Sequence, residues 1–129
     1  MKLLLDTHVL IWAVHSPDRL GDDARRALTT DDAEVYASHV SLWEMAIRRR
    51  AGKLHQLDRS AADWFAYFVP RSGLRQLAIS ARHVGAVEDL PLIHKDPFDR
   101  LLVTQARHGD MALVTSDGLV SQYDVEVIW

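Results

Sequence analysis

Short apolar runs alternate along this chain with longer segments in which apolar residues recur every three or four positions. KLLL (2–5) is too short for a helix and predicts a buried strand. EVYAS (34–38), LRQLAI (74–79), MALVT (111–115) and VEVIW (125–129) are read as four more strands. Between them, THVLIWAV (7–14), GDDARRALTT (21–30), SHVSLWEMAIRRRAG (38–52) and SAADWFAYFVPRSG (60–73) carry helical periodicity. So do SARHVGAVEDL (80–90), DPFDRLLVTQARHG (96–109) and, briefly, DGLVSQY (117–123). Helix punctuation agrees with these bounds. The segment at 38–52 opens on serine, ends on arginines and stops at Gly52, and the one at 96–109 ends at Gly109.

Strands that alternate with helices predict an α/β fold: a mostly parallel, five-stranded sheet covered on both faces, in one domain over 1–129. Such sheets bind ligands beyond the carboxyl ends of their strands, where the strand order reverses. Two acids follow apolar strands closely. Asp6 comes directly after KLLL, and Asp117 comes just after MALVT.

Composition narrows the classes. At 129 residues, 48% apolar and 26% charged, the chain is a globular protein able to bury its own core. It has no cysteine, which leaves out disulfide scaffolds and thiolate metal sites. Asp6 breaks the opening apolar run after three leucines and no small-residue cleavage site follows, so a cytoplasmic protein without a membrane span is expected. With 18 Asp and Glu against 15 Lys and Arg, the chain is not a binder that relies on bulk positive charge.

Two further acids sit on apolar helical faces. Glu44 falls within the arc of Val40, Trp43, Ile47 and Ala51, and Asp99 heads the stripe of Leu102, Val103 and Ala106. Each acid also has a plain reading: Asp6 and Asp117 as caps or turn acids, Glu44 on a solvated face, Asp99 in a capping box. Asp96 is an N-cap candidate ahead of Pro97. Isolated buried carboxylates would protonate, whereas several converging ones suit a divalent cation. Oxygen donors favour Mg²⁺ or Mn²⁺, and the seven histidines show no zinc-ligand spacing.

Taken in order, LLLDTHVLIW, SLWEMAI with Glu44, HKDPFDRLLVTQA and LVTSD resemble the PIN-domain ribonucleases, and among them the VapC-type toxins of bacterial toxin–antitoxin pairs. The resemblance runs the length of the chain. It implies a three-layer α/β/α fold and an Mg²⁺- or Mn²⁺-dependent endoribonuclease whose metal-binding acids are Asp6, Glu44, Asp99 and Asp117. It further implies accessory roles for Asp96 and Thr115, an RNA substrate, a cognate antitoxin and a homodimer. His94 belongs to the pattern without an assigned role. Arg48, Arg49, Arg50 and Lys53 suit flanking phosphates, or simply complement the helix dipole. The apolar segment 64–69 suits either an interface or the core.

Rival readings make distinct demands. An aspartyl-nucleophile phosphatase on a similar sheet wants a second acid at position 8, which is His8. A receiver-like signalling module wants an aspartate after the third strand, and LRQLAIS has none. A non-catalytic RNA-binding PIN domain would not need all four acids.

Overall fold

The computed structural model describes residues 1–129. Five strands form one sheet: β1 (Lys2–Leu5), β2 (Glu34–Ser38), β3 (Arg75–Leu77), β4 (Ala112–Val114) and β5 (Val127–Ile128). Their order is β3-β2-β1-β4-β5, and every pairing is parallel, so the expected mostly parallel sheet is parallel throughout. β1 is central because Leu3, Leu4 and Leu5 are wholly buried, which only a strand covered on both faces permits.

Six α-helices cover the sheet: α1 (Thr7–His15), α2 (Asp22–Leu28), α3 (His39–Arg50), α4 (Ala61–Arg71), α5 (Ala81–Ala86) and α6 (Pro97–Gly109). The pleat divides the core in two. Leu3, Leu5, Ala37 and Val114 pack with Val9 and Leu10 of α1 and Trp64 and Phe65 of α4. Leu4 and Leu113 point the other way, to Leu102, Val103 and Ala106 of α6. α3 straddles both layers, with Met45 in the first cluster and Val40 in the second. No helix is long and apolar enough to cross a membrane.

The segment 64–69 is mostly core. Trp64, Phe65 and Val69 are buried, while Tyr67 is left exposed. Segments 74–79 and 125–129 give shorter strands than their apolar runs suggest, and 117–123 holds only a 3₁₀ turn at Val120–Gln122. Edge strands have one neighbour, so fewer of their residues find ladder partners. α6 does run to Gly109, but Asp110 takes the left-handed cap conformation, φ 53°. Gly109 lies against the Met111 side chain, whose flexible end a Cβ there would have to displace.

β1, β2 and β3 step outward one way and β4 and β5 the other, so strand order reverses between β1 and β4. The carboxyl ends of those two strands are where the fold opens a site.

Candidate functional site

Asp6 ends β1 and is the N-cap of α1. Its Oδ1 accepts from the Val9 N–H at 3.1 Å, and its Oδ2 from the Thr115 hydroxyl at 2.5 Å. Thr115, just past β4, in turn accepts from the Asp117 N–H at 3.1 Å. One threonine thus ties the two strand-end acids together.

Glu44 is 4% exposed, and its burial has a polar cause. Its Oε1 accepts from the Thr7 hydroxyl and its Oε2 from Arg48 Nε, both at 2.7 Å. The Ser41 hydroxyl lies 3.0 Å from the same Thr7 oxygen. The expected apolar arc around Glu44 is therefore corrected: Val40 is buried, but Trp43 and Ile47 are about half exposed and Ala51 is exposed. α3 buries Val40, Ser41, Glu44 and Met45. Hydrogen-bond partners, not an apolar stripe alone, draw that face inward.

Asp99 heads the buried face of α6 as its stripe indicated, above the wholly buried Leu102, Val103 and Ala106. Burial raises its carboxyl first; the charges of Asp96, Asp6 and Glu44 add to this, and His94 only partly offsets them, leaving it at about 7. Asp117 goes the other way. Burial pushes it up, but hydrogen bonds from His94 Nε2 (2.7 Å) and the Leu119 N–H (2.9 Å) hold it below the ordinary carboxylate range. Two acids in one site are thus poised on opposite sides of their normal behaviour.

Asp6, Glu44, Asp99 and Asp117 line one cleft of about 420 Å³, with Arg48 on its wall. A second cleft, beside α5 and α6, contains a single acid, Asp89, among Arg82, Arg107 and His108, and so lacks this donor set. The remaining basic candidates, Arg49, Arg50 and Lys53, are exposed and do not line the acidic cleft. Arg48 is committed through Nε to Glu44. His94, Asp99 and Asp117 place one ligand-type atom each within 4.8 Å of one another.

Asp96 behaves as a cap. Its Oδ1 accepts from the N–H groups of Phe98 (2.8 Å) and Asp99 (3.2 Å). Asp96→Asn should keep stability within about 0.5 kcal/mol, because Asn caps comparably. It should also let Asp99 ionise at lower pH, since the Asp96 charge is the second cause of its elevation. Thermal melts of the metal-free protein across pH check both; a loss of about 1 kcal/mol or more would mean that Asp96 does more than cap.

The family model described as PIN domain matches residues 3–126. The chain belongs to the PIN-domain family. Among solved structures, this PIN domain is similar to a chain of VapBC2 from Rickettsia felis bound to a promoter DNA fragment, with TM-score 0.70 and 17% identity over 98% of this chain and 97% of that one. A chain of DNA-bound VapBC from Salmonella typhimurium gives TM-score 0.67 and 14% identity, covering 98% and 96%. FitAcB from Neisseria gonorrhoeae gives 0.59 and 17%, covering 97% and 95%. At such identities the likeness establishes the fold. Among curated proteins, none matches the chain by sequence.

Several contacts of this PIN-domain site leave no mark in the periodicity of the sequence. Thr7 and Ser41 read as ordinary early-helix residues, yet their hydroxyls meet from positions 34 apart, and Thr7 donates to Glu44. His94 and Tyr123 join across 29 positions. Periodicity is a local signal and does not register such contacts.

Proposed function

We propose that this PIN domain is an Mg²⁺- or Mn²⁺-dependent endoribonuclease that acts as the toxin of a toxin–antitoxin pair. One observation carries the reading. Four carboxylates converge at the sheet's switch point, and burial with the neighbouring acid charges outweighs the offset from His94, so Asp99 holds its proton up to about pH 7. The donor set is chemically apt: hard oxygens from four acids fit a hard divalent cation. When bound, one or two such ions would supply a low-pKa water and offset charge on the reacting phosphate.

The chain's own residues do the remaining work. The Val9 N–H and Thr115 fix Asp6, Thr7 and Arg48 fix Glu44, and the Leu119 N–H and His94 fix Asp117. Carboxylates held in this way lose little freedom on taking a cation. Arg48 spends only Nε on Glu44, so its terminal N–H groups are available to a phosphate oxygen beside the cleft. The toxin role draws on the VapC-like motifs and on the fold shared with the VapBC and FitAcB chains. RNA, an antitoxin and a second copy of the chain are the proposed partners, with Trp43 and Ile47 as apolar surface for one of the proteins.

Purified protein incubated with total RNA and Mg²⁺ should produce discrete cleaved ends. Excess EDTA should stop cleavage, and adding back Mg²⁺ or Mn²⁺ should restore it. Undiminished cleavage under EDTA would sink the metal mechanism, and absence of cleavage with metal would sink the ribonuclease reading. Expression should arrest growth, with relief by a neighbouring antitoxin gene; harmless expression of active enzyme counts against the toxin role.

A further inference from the structure

We propose that His94 is a positioning residue of the metal site: it bridges Asp99 and Asp117 as an Nε2–H donor and is not itself a metal ligand. The proposal deepens the metal reading above and rests on it. His94 is fixed on every side. Its backbone N–H donates to Tyr123 Oη at 2.8 Å, and its Nδ1 accepts from the Asp96 N–H at 3.0 Å. Arg100, one residue after Asp99, ties the preceding loop to α6 by donating to the carbonyls of Pro91 (2.8 Å) and Val87 (3.1 Å). It also donates to Tyr123 Oη at 3.3 Å.

These bonds decide the tautomer. A ring nitrogen that accepts a hydrogen bond carries no proton, so with Nδ1 accepting, Nε2 is the protonated nitrogen. Nε2 lies 2.7 Å from Asp117 Oδ2 and 3.2 Å from Asp99 Oδ2. Ligation through Nε2 would need its lone pair free. The proton would then sit on Nδ1, facing the Asp96 N–H 3.0 Å away, donor against donor. The three clustered residues look like a ligand set, but the Asp96 amide assigns His94 to a different task. It spaces two carboxylates that would otherwise repel, and leaves Asp99 Oδ1 without a protein partner. Outer partners that orient metal ligands act in this way.

The test uses ¹⁵N-histidine-labelled full-length protein. Long-range ¹H–¹⁵N correlation spectra of the metal-free protein should show His94 with Nδ1 bare and Nε2 protonated, and this pattern should persist when Mg²⁺ is added. A protonated Nδ1, or an Nε2 that loses its proton on Mg²⁺ addition, overturns the proposal. Calorimetric Mg²⁺ titration of two variants gives an independent readout. His94→Phe should weaken binding roughly 10- to 100-fold. His94→Gln, whose amide reaches the Nε2 position with a donor, should keep most of the affinity. Equal weakening in both variants, or normal binding by His94→Phe, also overturns it. If His94→Phe fails to fold, the spectra of the unmodified protein decide. Failure of the unmodified protein to bind any Mg²⁺ defeats the metal reading itself, and the tautomer pattern, recorded beforehand, still judges the bridge.

Discussion

Asp99→Asn is expected to cut RNA cleavage by at least about 100-fold, the scale for loss of a group that fixes transition-state charge, without unfolding the protein. The metal-free variant should be as stable as the parent or more so. The reason is the sign of the shift at Asp99. Its carboxyl moves from 3.8 to about 7 on folding, so the folded state holds the proton more tightly than the unfolded state. The associated stabilisation is complete below about pH 4 and is lost as pH rises through about 7. Its full extent is about 4 kcal/mol, so the parent should soften steadily across that window. An amide has no such proton to lose, and the window should flatten in the variant. Cation binding must also displace the Asp99 proton, so Mg²⁺ should bind more tightly as pH climbs toward 7 and release protons on binding. Melting curves with and without Mg²⁺, beside cleavage rates, check this. Normal cleavage with an earlier-melting metal-free protein would make Asp99 a structural acid.

Trp64→Ala should cost about 3–5 kcal/mol, against a typical stability of about 5–15 kcal/mol for a domain of this kind. Trp64 is the largest of the fully buried side chains, and its indole N–H donates to His15 Nε2 at 2.8 Å. Truncation empties the centre of the layer formed by α1, α4 and the sheet. Tyr67→Ala, three residues on and exposed, should cost less than about 0.5 kcal/mol. Urea unfolding of the two variants separates core from surface in the segment 64–69. A loss below about 1 kcal/mol for Trp64→Ala would show that the segment is poorly packed in the isolated chain and awaits a partner.

The strand-end acids could be read early because their signal is local. Three leucines followed by an aspartate define both a strand buried on two faces and the polar residue that leaves it. Asp99 was legible for a similar reason, since Leu102, Val103 and Ala106 follow it at helical spacing and are wholly buried, although α6 buries Thr104 and Gln105 beside them as well. The helical arc that turns Glu44 inward in the sequence is not what buries it. Its helix has no dominant apolar arc, and Trp43 and Ile47 remain about half exposed beside it. Glu44 is buried because Thr7 reaches it from α1 and Arg48 from one turn along. The sequence likewise treats Arg48, Arg49, Arg50 and Lys53 alike, as phosphate contacts or as a basic helix end, although the ion pair to Glu44 separates Arg48 from its exposed neighbours. His94 had no visible role because its partners come from α6, from the turn after β4 and from Tyr123. Only the folded chain brings those elements together.

Asp6, Glu44, Asp99 and Asp117 are proposed to act jointly as one cation site. Calorimetric titration of Mg²⁺ and of Mn²⁺ into the metal-free protein and its four single carboxylate-to-amide variants tests it most directly. The parent should bind saturably, and affinity should weaken at least about 10-fold in every variant. No saturable binding by the parent, or four variants that bind as tightly as it does, would mean that these acids do not form a cation site.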